Sequence, residues 1–504
     1  MAAMNARQLA HAQAQAQAQA HAQLVAQQQY AGPPIYLTVS LMSGQQQGIR
    51  CEISWTVNEV RRRAQQKLKT GLQTLFSKDR ELCGRMTLRE AGVQDKDVLQ
   101  AMARSAQIYA SRWSKAFAVR KADGSVVTWG DSDCGGDSSH VQEQLTDVTQ
   151  IATTEGAFAA LTADESVVCW GHRQWGGDCQ QVQKYLQNVK QIKGTNFAFA
   201  AVRSDASVLT WGFGLCGGDS TSVHNSLRNV NSLHATAGAF AALRRDGTVV
   251  CWGHRRHGGD CKAVQGYLCK VDRIRASEAA FAAIRSDNTV IAWGDPDLGG
   301  DCSRVSEQLR DVVEIAATSR AFAARKRDGS VVTWGFEQYG GDSSSVQSKL
   351  KGIQYIASTG TSFAAKRSDG RVVTWGFSEY GGNSQAIEAK LVQVSQIEGS
   401  TGAFAALRLD GTVVCWGDPL CGGDCSQVQN QLVEVTSITA SYGAFAAIKA
   451  NGQVITWGGD HFGGDSSHVK DHLLDVNSVK GEPGKNYGGD IAARYEVPRA
   501  HPGQ

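Results

Sequence analysis

The chain has 504 residues, 42% of them hydrophobic and 20% charged, with 55 glycines against 7 prolines and a net charge of +3. That is material for more than one domain, and the glycine excess favours tight turns between short strands over proline-rich linkers. The nearly balanced charge gives no electrostatic reason to expect nucleic acid or an anionic membrane as partner, and no apolar run is long enough to span a bilayer.

Residues 1–33, beginning "MAAMNARQLAHAQAQAQAQAHAQ", are rich in alanine and glutamine and lack the compact apolar stretch of a secretory signal. Both residue types form helices well, but a low-complexity stretch without an apolar face has nothing to pack. A disordered or weakly helical tail is expected. Without a secretory signal, the 13 cysteines read as reduced thiols in a cytoplasmic or nuclear protein.

A first domain is expected over residues 34–104. Ile35, Leu37, Val39 and Leu41 alternate as a strand, a Ser-Gly-Gln turn follows, and "GIRCEIS" makes the second strand of a hairpin. Thr56 with Glu59 three residues on is a capping box, after which Val57, Val60, Ala64 and Leu68 recur at helical spacing. "MTLREAGVQDKDVLQAMAR" adds a turn, a bend and a last strand around Val98 to Met102. Lys and Arg outnumber Asp and Glu here by 12 to 7, and "RRRAQQKLK" reads as the solvated face of the helix in preference to an anionic partner site. This order of elements resembles a ubiquitin-like β-grasp domain, a small α+β fold. The chain runs on into "SAQIYASRWSKAFA", so the resemblance implies no conjugating role.

From 106 to 480 one unit recurs nine times. "WG" stands at Trp129, Trp170, Trp211, Trp252, Trp293, Trp334, Trp375, Trp416 and Trp457, always 41 residues apart. A period in this range marks a propeller or solenoid, in which one supersecondary unit stacks on the next. Each unit reads V-x-x-I-x-A, then A-F-A-A-x-R-x-D-G-x-V-V-x-W-G, then four variable residues, then G-G-D-x-x-x-V-x-x-x-L. That predicts three short antiparallel strands, the second and third joined by a Gly-bearing hairpin turn, and one helical turn after "GGD". "VTQIATTEGAFAALTADESVVCWG" and its eight relatives resemble the regulator of chromosome condensation family and β-lactamase inhibitor protein II-like propeller repeats. The Gly-His and Trp-Asp signatures of WD repeats are absent. The resemblance implies a mainly β fold, a β-propeller, whose nine units exceed the usual ~4 to 8 blades. A nine-bladed ring and an incompletely closed spiral are both open. Residues 481–504 form a C-terminal tail that could supply a closing strand.

The stretch "CWGHRRHGGDC" places Cys251, His254, His257 and Cys261 together, the right atoms for zinc at an unfamiliar spacing. The same cysteine slots recur as "CWGHRQWGGDC" and "CWGDPLCGGDC". They belong to the repeat, and no metal or cofactor is expected. Every unit with the first cysteine has the second (Cys169 and Cys179, Cys251 and Cys261, Cys415 and Cys425), and Cys302 stands alone. Small side chains packing together explain this, and a redox or metal role for the pairs stays open. The "GGD" aspartates, with Asn383 in the seventh unit, read as caps, because calcium β-rolls stack their aspartates at a far shorter period.

The four residues after "WG" change freely, and loops on a rigid scaffold are where recognition residues concentrate. Arg173, Trp175, His254, Arg255, Arg256, His257, Phe336, Tyr339, Phe377, Tyr380, His461 and Phe462 have the aromatic and basic character of binding hot spots. No phosphate-binding loop or nucleophile elbow occurs. The expected function is therefore a non-enzymatic interaction scaffold with a protein partner on the propeller's loop face. The resemblances imply two further readings. One is an adaptor or substrate-recognition role with ubiquitin-pathway components as partners. The other is a guanine nucleotide exchange factor for a small GTPase, for which nine uniform units leave no inserted wedge.

Overall fold

A computed structural model describes residues 33–465 apart from 42–43, 69, 79, 104–106, 111–115, 122, 452 and 463. The Ala/Gln-rich tail before it and the segment in which a closing strand was expected lie outside the described residues.

In the first domain, strand β1 (Ile35–Leu41) pairs antiparallel with β2 (Gln46–Cys51), and alternation sends Leu37, Val39, Ile49 and Cys51 into one core. Helix α1 (Val57–Leu68) closes that core with Val57, Val60, Ala64 and Leu68. Its capping box forms: the Thr56 N–H donates to Glu59 Oε2 at 2.6 Å, and the Glu59 N–H donates to Thr56 Oγ1 at 3.3 Å. The last strand is β5 (Val98–Ala103), and two strands the sequence pattern did not announce, β3 (Leu72–Ser77) and β4 (Arg80–Glu81), complete the sheet. The order is β2-β1-β5-β3-β4, with β1 and β5 parallel.

Among the described residues the repeats form nine three-stranded antiparallel sheets, a mainly β architecture. In the second unit the strands are Val148–Thr153, Ala157–Thr162 and Val167–Gly171. Alternation along "AFAALT" puts Phe158 on one face and Ala157 and Ala159 on the other. Phe158 faces Trp170 across the strand pair and the rings stack at 5.2 Å. The bulky face packs on the alanine face of the preceding unit, as Phe158 and Trp170 do on Ala116 and Ala118. Phe199 and Trp211 repeat this on Ala157 and Ala159. Large residues against small ones let successive sheets interdigitate at interior density.

Two hydrogen-bond series tie the units in register. Each "WG" indole Nε1 from Trp170 onward donates to the first glycine of the preceding "GG", from Trp170 to Gly135 at 3.0 Å through Trp457 to Gly422 at 3.1 Å. A backbone series runs from the Glu155 N–H to Asn196 O, from Asn196 to Ala237, and onward at the same spacing to Tyr442. The glycine under the indole is required twice over: Gly258 has φ +92°, and a Cβ there would lie 2.6 Å from the Phe281 ring. The sheets meet mainly through their first strands, and no contact of that extent joins the first sheet to the ninth among the described residues.

The hairpin turns are as expected where glycine is present: Gly247 has φ +77° and Asp246 Oδ1 accepts from the Thr248 N–H at 3.0 Å. Units without that glycine keep the same backbone, with Glu165, Ala206 and Asn288 at φ +66°, +62° and +61°. A second left-handed residue, unannounced by the pattern, precedes each described first strand from Asp147 onward, including Asn188 and Lys270. No helix among the described residues is long and apolar enough to cross a membrane.

The first strands also bring charged groups together at one register position, Lys193, His234 and Arg275. Burial, then the two neighbouring cations, push the His234 imidazole down to about 3. Ser232 Oγ lies 3.2 Å from its Nε2.

Replacing Gly258 by Ala is expected to cost about 3 kcal/mol, from positive φ and overlap with Phe281. Replacing Ala206 by Gly is expected to add about 1 kcal/mol by relieving positive φ. Urea unfolding of both variants measures the two signs. Because His234 is depressed, its contribution is complete above the unfolded histidine value near 6.5 and is lost as pH falls toward 3. Stability is expected to drop by about 1 to 2 kcal/mol between pH 7 and pH 4, less than the full linkage because the residue is partly exposed. Denaturant midpoints against pH should show that slope, and H234Q should flatten it.

Candidate functional site

Each variable tetrapeptide folds the same way. Its first residue enters a single 3-10 turn, as at Arg173–Trp175, Arg255–His257, Glu337–Tyr339 and Ser378–Tyr380, and the first "GG" glycine closes it in the left-handed region. The hydrogen-bonding side chains of Asp131, Asp295 and Asp418 cap their turns from the first position. A constant backbone therefore presents different side chains at equivalent points.

The fourth residue folds back onto the blade. Trp175 stacks on His172 at 4.0 Å and reaches Phe197 of the next unit at 5.1 Å, in space that a Cβ on Gly156 would fill. Tyr339 is buried, with the Arg320 guanidinium 5.0 Å from its ring. Tyr380 lies against Gly402 of the next unit and stacks on half-buried Phe377 at 5.3 Å. His257 meets His254 edge-on at 4.4 Å. The aromatic residues anticipated as one recognition set thus divide, with Trp175, Tyr339, Tyr380 and the part-exposed Phe462, which lies over Gly443, covering the scaffold and Phe336, at the first position, exposed. The His461 side chain lies outside the described residues.

The outward positions carry the arginines. Arg173 and Arg255 are 84% and 86% exposed, yet each meets the aspartate of its own "GGD": Arg173 Nε to Asp178 Oδ2 at 2.9 Å, Arg255 Nε to Asp260 Oδ2 at 3.2 Å. Arg256 reaches Asp295 of the next loop at 3.5 Å. Those aspartates also do the expected capping, as Asp178 Oδ1 accepts from the Gln180 N–H at 2.9 Å. The same backbone N–H contact holds the exposed Asp137, Asp219, Asp301 and Asp424 carboxyls below the ordinary aspartate value. One carboxylate thus shapes the turn and tempers the loop's charge.

Leu215 and Leu420 stand 69% and 78% exposed at outward positions, and Phe213 is exposed beside Leu215. Sequence reasoning passed over them, although "FGLC" and "DPLC" occupy the same slots as the residues it chose. Between the sixth and seventh loops a cleft of about 520 Å3 is lined by Glu337, Asp342, Asn383, Lys349 and Glu388, the last two paired at 3.0 Å.

Cys251 and Cys261 of "CWGHRRHGGDC" are buried in the layer between units, apart from the exposed His254. Among the described residues no group of three or more His, Cys, Asp or Glu side chains could hold a metal ion.

The basic helix is solvated as expected at Arg62, Arg63 and Lys67, but not at Arg61. Arg61 is buried, and its Nη2 meets Asp147 Oδ1 at 3.2 Å, while Arg62 Nε meets Asp147 Oδ2 at 2.7 Å. Burial lowers the Arg61 pKa, and Asp147 opposes that shift. Asn58 Nδ2 donates to Ala163 O at 2.9 Å, and Arg85 meets Glu165 at 3.3 Å. One face of α1 is thus docked on the turns of the first units. Spacing within the helix could not show this, because the acceptor lies in another domain.

No protein-family model and no curated protein matches the chain. Among solved structures it is similar to Prp20p from Saccharomyces cerevisiae, at 15% identity over 55% of this chain and 82% of that one, TM-score 0.34. It is similar to the CRINKLY WD40 ectodomain of the Arabidopsis thaliana receptor kinase ACR4, at 20% identity over 55% and 97%, TM-score 0.32. The computationally designed protein Ika8 is similar at 16% identity over 62% and 97%, TM-score 0.31.

Asp147→Asn should undock α1. Removing the counter-ion from buried Arg61 is expected to cost about 3 kcal/mol, whereas Arg62→Ala, at a half-exposed site, should cost under ~1 kcal/mol. Amide exchange across residues 57–68 with urea midpoints measures both.

Proposed function

We propose that the repeat array is a non-enzymatic binding scaffold whose loop edge takes a protein partner. The observation that carries this reading is a constant turn backbone with divergent, exposed side chains at its outward positions. Leu215, Phe336 and Leu420 offer apolar anchors, and Arg173, Arg255 and Arg256 offer charge already oriented by aspartates. Exposed apolar and arginine groups ringed by polar ones are what a protein interface uses, and arginines held in place lose less freedom on binding.

A second reading concerns the first domain. Its strand order fits a ubiquitin-like β-grasp module, and with α1 docked inward its outer sheet face carries the exposed Tyr36 and Val98 and the Arg50 opposite Tyr36. That leaves one face for a ubiquitin-pathway partner and supports an adaptor role in which the array supplies the second contact.

A photo-crosslinking residue placed at 215 or 420 should capture one protein from cells, and the same residue at Leu409, on the opposite hairpin edge, should not. L215S/F336S/L420S should then weaken binding of that purified protein at least ~100-fold with little change in Tm. Equal capture at 409, or unchanged affinity in the triple variant, would overturn the loop-edge assignment. Loss of binding in Y36A/V98A instead would transfer the site to the first domain.

A further inference from the structure

The third strand and the turn after "GGD" share a small hydrogen-bonded relay in most units. In the first unit the Thr128 hydroxyl donates to Ser138 Oγ at 2.9 Å, Ser138 donates to Gln142 Oε1 at 3.0 Å, and Gln142 Nε2 donates to Val126 O at 2.9 Å. Thr210 and Ser220, Thr333 and Ser343, and Thr374 and Ser384 repeat the hydroxyl contact at 2.9 to 3.0 Å.

In the second, fourth and eighth units both hydroxyls are replaced by thiols and the rest of the relay stays. Cys179 Sγ donates to Gln183 Oε1 at 2.9 Å, and Gln183 Nε2 donates to Val167 O at 3.0 Å. Cys261 with Gln265 and Cys425 with Gln429 do the same at 3.3 and 3.5 Å. All six thiols are free, and in each unit both lie in the same apolar layer. Four units show that the fold does well with hydroxyls here. In the fifth unit, by contrast, Cys302 stands opposite Ala292 and has no thiol to meet.

We propose that Cys169 with Cys179, Cys251 with Cys261, and Cys415 with Cys425 are oxidisable dithiols, each closing to an intrachain disulfide across the base of one variable loop. The oxidant is a peroxide. The thiolate of the turn cysteine attacks one peroxide oxygen and becomes a sulfenic acid, and the other oxygen leaves as water. The strand cysteine then attacks that sulfur, the S–S bond forms, and the sulfenic oxygen leaves as a second water. Two thiols lose two electrons and two protons, and hydrogen peroxide gains them.

The relay sets up this order. A hydrogen bond from the strand thiol holds Cys179, Cys261 and Cys425 below the usual thiol value, and burial pushes Cys169, Cys251 and Cys415 above it. Attack therefore begins at the turn cysteine, and its neighbour resolves it. The closed ring encircles "WGHRQWGGD", "WGHRRHGGD" or "WGDPLCGGD", so oxidation stiffens three loops and leaves the others unchanged. The chemistry holds whatever those loops bind.

The full-length protein treated with hydrogen peroxide should lose two hydrogens per pair, about 6 Da in all, and those six cysteines should then escape alkylation in denaturant. Tryptic cleavage at Arg173 should leave the Cys169 and Cys179 peptides joined, while Cys302 and the exposed Cys83 stay outside any such pair. Amide exchange in the three loops should slow about tenfold on oxidation. C169T/C179S, a copy of the Thr128 and Ser138 pair, should fold normally and lose only the unit-two bond. Full alkylation of all six thiols while Cys83 is oxidised would overturn the proposal. Bonds to Cys134, Cys216 or Cys421 in place of the three pairs would overturn it equally.

Discussion

Everything in the array depends on one contact, the indole N–H of each unit from the second onward donating to a glycine carbonyl of the unit before it. The indole must lie flat on its phenylalanine to reach that carbonyl, and the glycine must be left-handed and lack a side chain to sit over the ring. Trp293 on Phe281, at 5.1 Å, with Gly258 above it, satisfies all three demands at once. Because the bond crosses from one unit to the next, it fixes the spacing of sheets as well as the shape of a blade. Alanine on the opposite face follows from the same spacing, since Phe281 at the next layer fills the room that Ala239 and Ala241 leave.

That dependence explains what could be read in advance. A constraint that recurs in every unit prints itself as period, so the three strands, the hairpin turn and the aspartate cap were legible from Trp129 to Trp457. Conformation carried by the backbone alone was less so. Ala206 and Lys270 adopt left-handed φ without the glycine that would have advertised it, because the neighbouring unit's hydrogen bonds hold them there. The strand β3 escaped notice for a related reason: "LQTLFS" lacks clean alternation, and its place is set by pairing with β5.

The candidate site was legible as a location and less as chemistry. The variable slots of "HRQW" and "FEQY" marked the loops, but a four-letter string does not say which side chains turn inward. Trp175 and Tyr339 turn inward because Gly156 and the Arg320 ring contact give them somewhere to lie. The residues that host them, a bare glycine in one case and a guanidinium in the other, sit about twenty positions earlier. Arg61 is a sharper case. Three arginines in a row on a helix read as solvated charge, and only the fold brings Asp147 to them from beyond the first unit.

Stability and variation are kept apart by where the invariant bonds lie. The indole contacts and the backbone series run through the interior of the stack, while the tetrapeptides project from turns whose own backbone bonds are complete without them. The slot joining the third strand to the turn tells the same story from inside: Thr with Ser, Cys with Cys, and Ala with Cys all occupy it. Thr128 and Ser138 on one hand, and the Cys179 contact with Gln183 on the other, show that the glutamine carboxamide tolerates either donor. A position that the scaffold does not need to fix is free to carry chemistry. In this chain that freedom shows twice, in the divergent exposed side chains of the loop edge and in the buried thiol pairs beneath it.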